Sequence, residues 1–144
     1  MPYHILSAPC LRIIQDKNSG LTSLIDIVDT AFVEPGRELS LPPFKLFSKW
    51  GKGTPENELE RFDVKLSLSG PKIKRKKQLD KFSVEIPQNA SGVTMMLNID
   101  AIEVKEPGLW FIHIAFKASS KGKWKEVCAL PIMVRSKPTN KTEQ

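Results

Sequence analysis

Nucleophilic catalysis is the first chemistry to consider, because the sequence contains two cysteines and two histidines. A catalytic thiol or hydroxyl needs a base within hydrogen-bond reach and a third group that orients the base. The two-residue period of a strand places His113 on the face opposite Trp110, and Cys128 could lie across from it in the last strand. A histidine on a partly covered sheet face is the simpler interpretation, and no hydrolase or nucleotide-binding motif is present. His4 lies near the N-terminus and adds no further signal. These residues predict a protein that is not an enzyme, with no catalytic residue and no cofactor.

Metal binding is the second candidate chemistry. Four carboxylates could gather where loops meet at one end of a β-sandwich, namely Asp26, Asp29, Asp100 and Glu103. Calcium requires several oxygen ligands at tight spacing, and D-I-V-D at 26–29 is a poor version of that pattern. Two cysteines without neighbouring histidines provide too few ligands for zinc. We therefore predict no metal site.

Polyanion binding is the third candidate, since the formal net charge is +6 and the sequence pI is about 9.4. Two basic clusters carry much of this charge. The first consists of Lys72, Lys74, Arg75, Lys76, Lys77 and Lys81, and the second of Lys117, Lys121, Lys123 and Lys125, with Trp124 among them. If both clusters share a face, they form a stripe that tracks phosphates, and Trp124 is placed to stack on a base or a sugar. The alternatives are solvated charges and a tryptophan that covers the mouth of the core.

Length and composition predict one globular domain over residues 1–136, followed by a flexible polar tail over 137–144. No apolar run approaches the roughly 20 residues that span a bilayer, and the first ten residues lack the pattern of a signal peptide. Two cysteines suit a reducing compartment, where both are expected to be buried thiols, although a bridge between Cys10 and Cys128 is geometrically conceivable. We therefore expect a cytoplasmic protein without a membrane partner.

Alternating apolar residues predict that these groups sit on strands. The clearest unit is 102–134, which contains a strand, a Glu-Pro-Gly turn, a second strand with Trp110, Ile112, Ile114 and Phe116 on one face, a polar turn and a third strand. A strand is also favoured over a helix for 21–33. Pro9 and Pro131 predict that the first and last strands are edge or bulged strands. The basic run 72–77 predicts an edge strand or a projecting hairpin.

The whole pattern predicts an all-β protein, specifically an immunoglobulin-like antiparallel β-sandwich of about 7–9 strands. An open barrel is the alternative. Thr54-Pro55-Glu56 allows at most one short helical turn.

The chain also resembles a family of small uncharacterised bacterial (or phage-borne) all-β proteins of unknown function. The stretches that carry the resemblance are P-C-L-R-I-I-Q-D-K-N-S-G-L-T-S-L-I-D-I-V-D-T, F-D-V-K-L-S-L-S-G-P, L-N-I-D-A-I-E-V-K-E-P-G-L-W-F-I-H-I and V-C-A-L-P-I-M-V, which span most of residues 4–134. The resemblance implies an immunoglobulin-like sandwich in a cytosolic protein, with no catalytic residues to transfer. The basic run at 72–77 departs from the neutral segment expected there.

Two functions follow as hypotheses. The favoured one is a non-catalytic binding or assembly module of a bacterial or phage protein, with a protein partner or as a homo-oligomer. It predicts an apolar patch on the sheet face that carries Leu109, Phe111 and Ala115. The alternative is polyanion or nucleic-acid binding through 72–81 and 117–125.

Overall fold

Every element of secondary structure in the described chain is a β-strand. The computed structural model describes residues 1–33, 40–118 and 121–137. Within these ranges no helix has the length and apolar character needed to cross a bilayer. The strands are β1 (Tyr3–Gln15), β2 (Thr22–Ile27), β3 (Thr30–Val33), β4 (Ser40–Leu41), β5 (Phe44–Gly51), β6 (Glu60–Ser69), β7 (Lys77–Ile86), β8 (Gly92–Ile99), β9 (Ile102–Glu103), β10 (Gly108–Lys117) and β11 (Lys125–Ser136).

The strands form three sheets. A four-stranded sheet has the order β2-β1-β5-β8, a five-stranded sheet has the order β3-β11-β10-β6-β7, and β4 pairs with β9 alone. All pairs are antiparallel except β3 with β11, which is parallel. The predicted all-β class is confirmed. The predicted count of 7–9 strands is wrong, since the described residues alone form eleven.

The extra strands have a physical cause. The segment 21–33, predicted as one strand, divides at Val28 and Asp29, between the end of β2 at Ile27 and the start of β3 at Thr30. Asp26, with a φ of 56°, leaves the extended conformation just before this division. Before the division β2 pairs with β1, and after it β3 joins β11 in the other large sheet. The N–H of Met133 donates to the carbonyl of Asp29 (2.8 Å) at this crossing. The two-residue strands β4 and β9, which pair with each other, are two further strands that the sequence did not predict.

The prolines of the first and last strands do not mark sheet edges. Both β1 and β11 lie between two neighbouring strands, so the prediction of edge strands is wrong, and the register shifts of these strands lie away from both prolines. Each proline nevertheless lies beyond the ladder with one neighbour: β2 pairs with β1 from Cys10 onward, and β3 pairs with β11 from Met133 onward. Proline has no backbone N–H to donate. Both prolines therefore lie at positions where the strand is hydrogen-bonded to a neighbouring strand on one side only.

The two large sheets pack against each other around two tryptophans. Trp50 of β5 contacts the rings of Phe62 and Phe116, with centroid separations of 5.1 and 5.6 Å. Trp110 of β10 is fully buried, and its indole N–H donates to the carbonyl of Glu106 (2.9 Å). The predicted core face of β10 is confirmed, because Trp110, Ile112, Ile114 and Phe116 are all buried.

Three smaller expectations have clear outcomes. Residues 72–76 form the loop that leads into β7, and β7 is the edge strand of the five-stranded sheet. The segment after Thr54 is a turn, in which the N–H of Glu58 donates to the carbonyl of Pro55 (2.9 Å), and it contains no helical turn. Cys10 and Cys128 are free thiols; Cys10 is fully buried and Cys128 is half-buried. Residues 138–144 of the predicted tail lie outside the described chain.

Candidate functional site

Trp124 is surrounded by lysines from three strands on the outer face of the five-stranded sheet. The ammonium groups of Lys65, Lys117 and Lys81 lie 4.5, 4.9 and 5.9 Å from the centroid of its ring. These distances are within the range of cation–π attraction. We call these four residues the Trp124 cluster.

The strand register explains why the cluster forms. Lys65 of β6 lies directly opposite Lys81 of β7 and, on its other side, opposite Ala115 of β10. Lys117 is two residues further along β10, so it points to the same face. Like charges directly opposite each other destabilise a sheet. The attraction of the cations to the indole ring offsets that repulsion, and a bound anion would offset it further.

A cavity of about 300 Å³ opens beside the indole ring. Its lining residues provide one aromatic wall and several polar groups: Lys65, Ser67, Lys76, Gln78, His113, Ala115, Trp124 and Glu126. Most of these groups donate hydrogen bonds, and Glu126 is the carboxylate among them. The cavity is therefore suited to a flat polar molecule that also carries negative charge.

His113 forms one wall of this cavity and has two polar neighbours. Its Nε2 lies 2.5 Å from the hydroxyl of Ser69, and its Nδ1 lies 2.6 Å from Oε1 of Glu126. The side chain is 13% exposed. Cys128, for which the sequence allowed a position across from His113, does not lie there: Ala129 occupies the opposite position, and Cys128 packs against the core.

Serine, histidine and carboxylate in this order match the connectivity of a hydrolase triad. The geometry is less favourable. The contact between Nδ1 and Glu126 is an ion-pair approach in which the ring atom has no hydrogen bond of good direction. Oε1 of Glu126 instead accepts a hydrogen bond from the ammonium of Lys76 (2.8 Å). In addition, Ser69 does not line the cavity in which a substrate would lie.

The charge state of Glu126 follows from these contacts. The hydrogen bond from Lys76 lowers the pKa of the Glu126 carboxyl, and the nearby His113 contributes in the same direction. Glu126 is therefore ionised at neutral pH. Its negative charge neutralises part of the positive potential that Lys76 would otherwise contribute to the cavity.

Some of the residues predicted from sequence come together and others do not. Four of them meet at the cavity or the Trp124 cluster: Lys76, Lys81, Lys117 and Trp124. Lys72 turns away and pairs with Glu106 (2.8 Å), which raises the pKa of the lysine. Lys77 lines a separate groove that also contains acidic side chains. The remaining predicted cations are exposed side chains in or beside the two loops: Lys74, Arg75, Lys121, Lys123 and Lys125.

Sequence reasoning missed four residues that line the cavity and one residue that contacts His113 behind it: Lys65, Ser67, Gln78 and Glu126, and Ser69. The period of β6 places Lys65 on the solvent face, so its exposure was predictable. Its approach to Trp124 was not, because that depends on the register between β6, β7 and β10.

The four acidic candidates for a metal site do not converge. Asp26 lines one cavity, whereas Asp100 and Glu103 line the groove beside Lys77. Across the described ranges, no group of three or more histidine, cysteine, aspartate or glutamate side chains is placed to hold a metal ion.

The opposite end of the same sheet face is apolar. Leu109 lies opposite Met133, and Phe111 opposite Pro131. Phe32 of β3 borders the same surface and is 57% exposed. We call Phe32, Leu109, Phe111, Pro131 and Met133 the apolar end. Ala115, which was predicted to belong to this patch, is instead buried at the wall of the polar cavity.

The sequence matches no protein-family model, and comparison with curated proteins gave no significant match. The resemblance to small bacterial or phage-borne all-β proteins therefore stays a prediction.

Proposed function

We propose that the protein is a non-catalytic binding module that holds a polyanion on the outer face of its five-stranded sheet. The observation that carries this proposal is the Trp124 cluster, in which three strands direct lysines to one half-buried tryptophan. Charge runs alone are usually solvated. A set of cations gathered from separate strands is different, because their mutual repulsion falls when a polyanion binds.

The affinity for a polyanion would come mainly from released counterions. A protein that contacts Z phosphates of a single strand shows a slope of about −0.7Z in a plot of log affinity against log salt. Contacts from Lys65, Lys76, Lys81 and Lys117 would give a slope of about −3.

The test is a titration of a fluorescently labelled oligonucleotide and of labelled heparin between low and physiological salt. The double variant Lys65→Glu/Lys81→Glu should abolish binding to both. The matched control is Lys45→Glu/Lys49→Glu, which makes the same charge change at exposed positions of the four-stranded sheet. The proposal fails if neither polyanion binds at low salt, or if the control weakens binding as much as the cluster variant does.

Assembly through the apolar end is the second candidate function. The supporting observation is that Phe32 and Leu109, 57% and 42% exposed, border one surface together with Met133. Light scattering across a concentration series should detect a defined oligomer, which Leu109→Lys should dissociate. Leu21→Lys is the control, because Leu21 is 70% exposed and lies outside the apolar end. A monomer at every concentration would exclude this candidate.

We also propose that the fold is an immunoglobulin-like sandwich and that the protein is cytoplasmic. Two packed sheets with a fully buried tryptophan in each support an immunoglobulin-like sandwich. The resemblance to bacterial or phage-borne proteins supports a cytoplasmic location.

A further inference from the structure

We infer that the cavity beside Trp124 receives one nucleobase, so that the preferred polyanion is single-stranded nucleic acid. This inference rests on the proposed function. It goes further, because a surface that binds polyanions by charge alone needs neither an aromatic wall nor a cavity. The Trp124 cluster has both, next to its lysines.

The chemistry of the walls fits a base rather than an inorganic anion. The indole ring offers a π-face for stacking, which is tolerant of sequence because every base has such a face. Ser67 and Gln78 offer hydrogen-bonding groups around the cavity. An inorganic polyanion has no flat face that could stack on the indole ring.

The lysines fit the sugar–phosphate chain that carries such a base. Lys65, Lys81 and Lys117 surround the ring from β6, β7 and β10. When a base lies against Trp124, its flanking phosphates come within reach of these ammonium groups. The lysines then exchange a cation–π contact for a contact with phosphate, which is the stronger of the two because both partners are charged.

A duplex would not satisfy the site. Its bases are stacked and paired, and bringing one into a pocket costs a few kcal/mol of unstacking and unpairing. A single strand presents unstacked bases without that penalty. The cavity therefore favours single strands over duplexes of the same sequence.

Intrinsic tryptophan fluorescence tests the inference directly. Trp50 and Trp110 are fully buried, whereas Trp124 is half-buried, so quenching by a ligand reports on Trp124. The protein is titrated at one salt concentration with a thymidine oligonucleotide, with a duplex of equal length and with inorganic polyphosphate. We expect quenching by the single strand alone. Its affinity should exceed that of polyphosphate by roughly five- to 150-fold, the usual contribution of one stacked base.

Two variants complete the test. Trp124→Leu should lower the affinity for the single strand more than the affinity for polyphosphate, so that the preference for the single strand is lost, whereas Trp124→Phe should keep most of that preference. Thermal melting confirms that both are folded, and the wild-type comparison is informative even if neither is. Equal binding of all three polyanions without quenching overturns the inference and leaves the proposed function standing. Binding of none overturns both.

Discussion

His4 shows how the environment of one residue sets a pH dependence. Its Nε2 is hydrogen-bonded to the hydroxyl of Ser7 (2.7 Å), and its ring packs edge-on against Trp50 (5.1 Å). Burial lowers the pKa of His4 below its ordinary value of 6.5. The folded state therefore binds the proton less readily than the unfolded state does. Its stabilising effect is fully present above pH 6.5 and is lost as the pH falls toward the lower folded-state pKa.

We predict that urea denaturation midpoints of the wild type decrease between pH 7.5 and pH 5, and that His4→Gln removes part of this decrease. The difference between the two proteins isolates His4, because every other titrating group is common to both. Equal pH dependence in the two proteins would show that His4 is solvated as freely in the folded chain as in the unfolded one.

The charge of Glu126 gives a second prediction that concerns a single residue. Since its carboxylate neutralises Lys76 inside the candidate cavity, Glu126→Gln should increase polyanion affinity. We expect an increase of up to about fivefold, from the ~1 kcal/mol upper range of an exposed ion pair. The control is Glu85→Gln, which removes the same charge from an exposed pair with Arg61 (2.7 Å) on the same sheet. If the two variants gain affinity equally, net charge rather than the cavity is responsible.

The turn between β6 and β7 packs closely against the core, where Gly70 lies beside Trp110. A Cβ atom added at Gly70 would overlap the six-membered ring of Trp110. Because Trp110 is fully buried and fixed by its bond to the carbonyl of Glu106, the ring has little room to move. We predict that Gly70→Ala destabilises the fold by about 1–3 kcal/mol through overpacking.

A double-mutant cycle with Trp110→Phe checks this mechanism, since phenylalanine lacks the fused ring that the new methyl group would meet. Gly70→Ala should cost less in the Trp110→Phe background than in the wild type, measured by urea denaturation. Additive effects would mean that the turn relaxes away from the tryptophan.

Elements also show what could be predicted from the sequence. The period of two located β6, β7, β8 and β10 because one face of each packs against the core, so an error of register would expose apolar side chains. It could not locate the division of 21–33, because Val28 and Asp29, which separate β2 from β3, include no glycine or proline, and the positive φ of Asp26 leaves no periodic signal. Nor could it bring Lys65 to Trp124, because pairing between strands depends on contacts far apart in the chain.

The whole molecule places both candidate functions on one sheet face. The Trp124 cluster occupies one end of that face, the apolar end occupies the other, and His113 of β10 lies between them. The two hypotheses therefore do not compete for the same side chains. Copies that assembled through the apolar end would still present their Trp124 clusters, and linked sites bind a long polyanion more tightly than single ones.

The extent of the folding unit gives the last prediction. The N–H of Lys137 donates to the carbonyl of Val33 (2.8 Å), directly after the parallel ladder between β11 and β3. The residues that follow, 138–144, carry one lysine and one glutamate and so no net charge. We predict that a chain ending at Lys137 keeps the thermal midpoint and the polyanion affinity of the full chain. A chain ending at Ile132 removes the β11 side of that ladder and should melt at a clearly lower temperature. A lower midpoint for the chain ending at Lys137 would mean that the folded domain extends beyond residue 137.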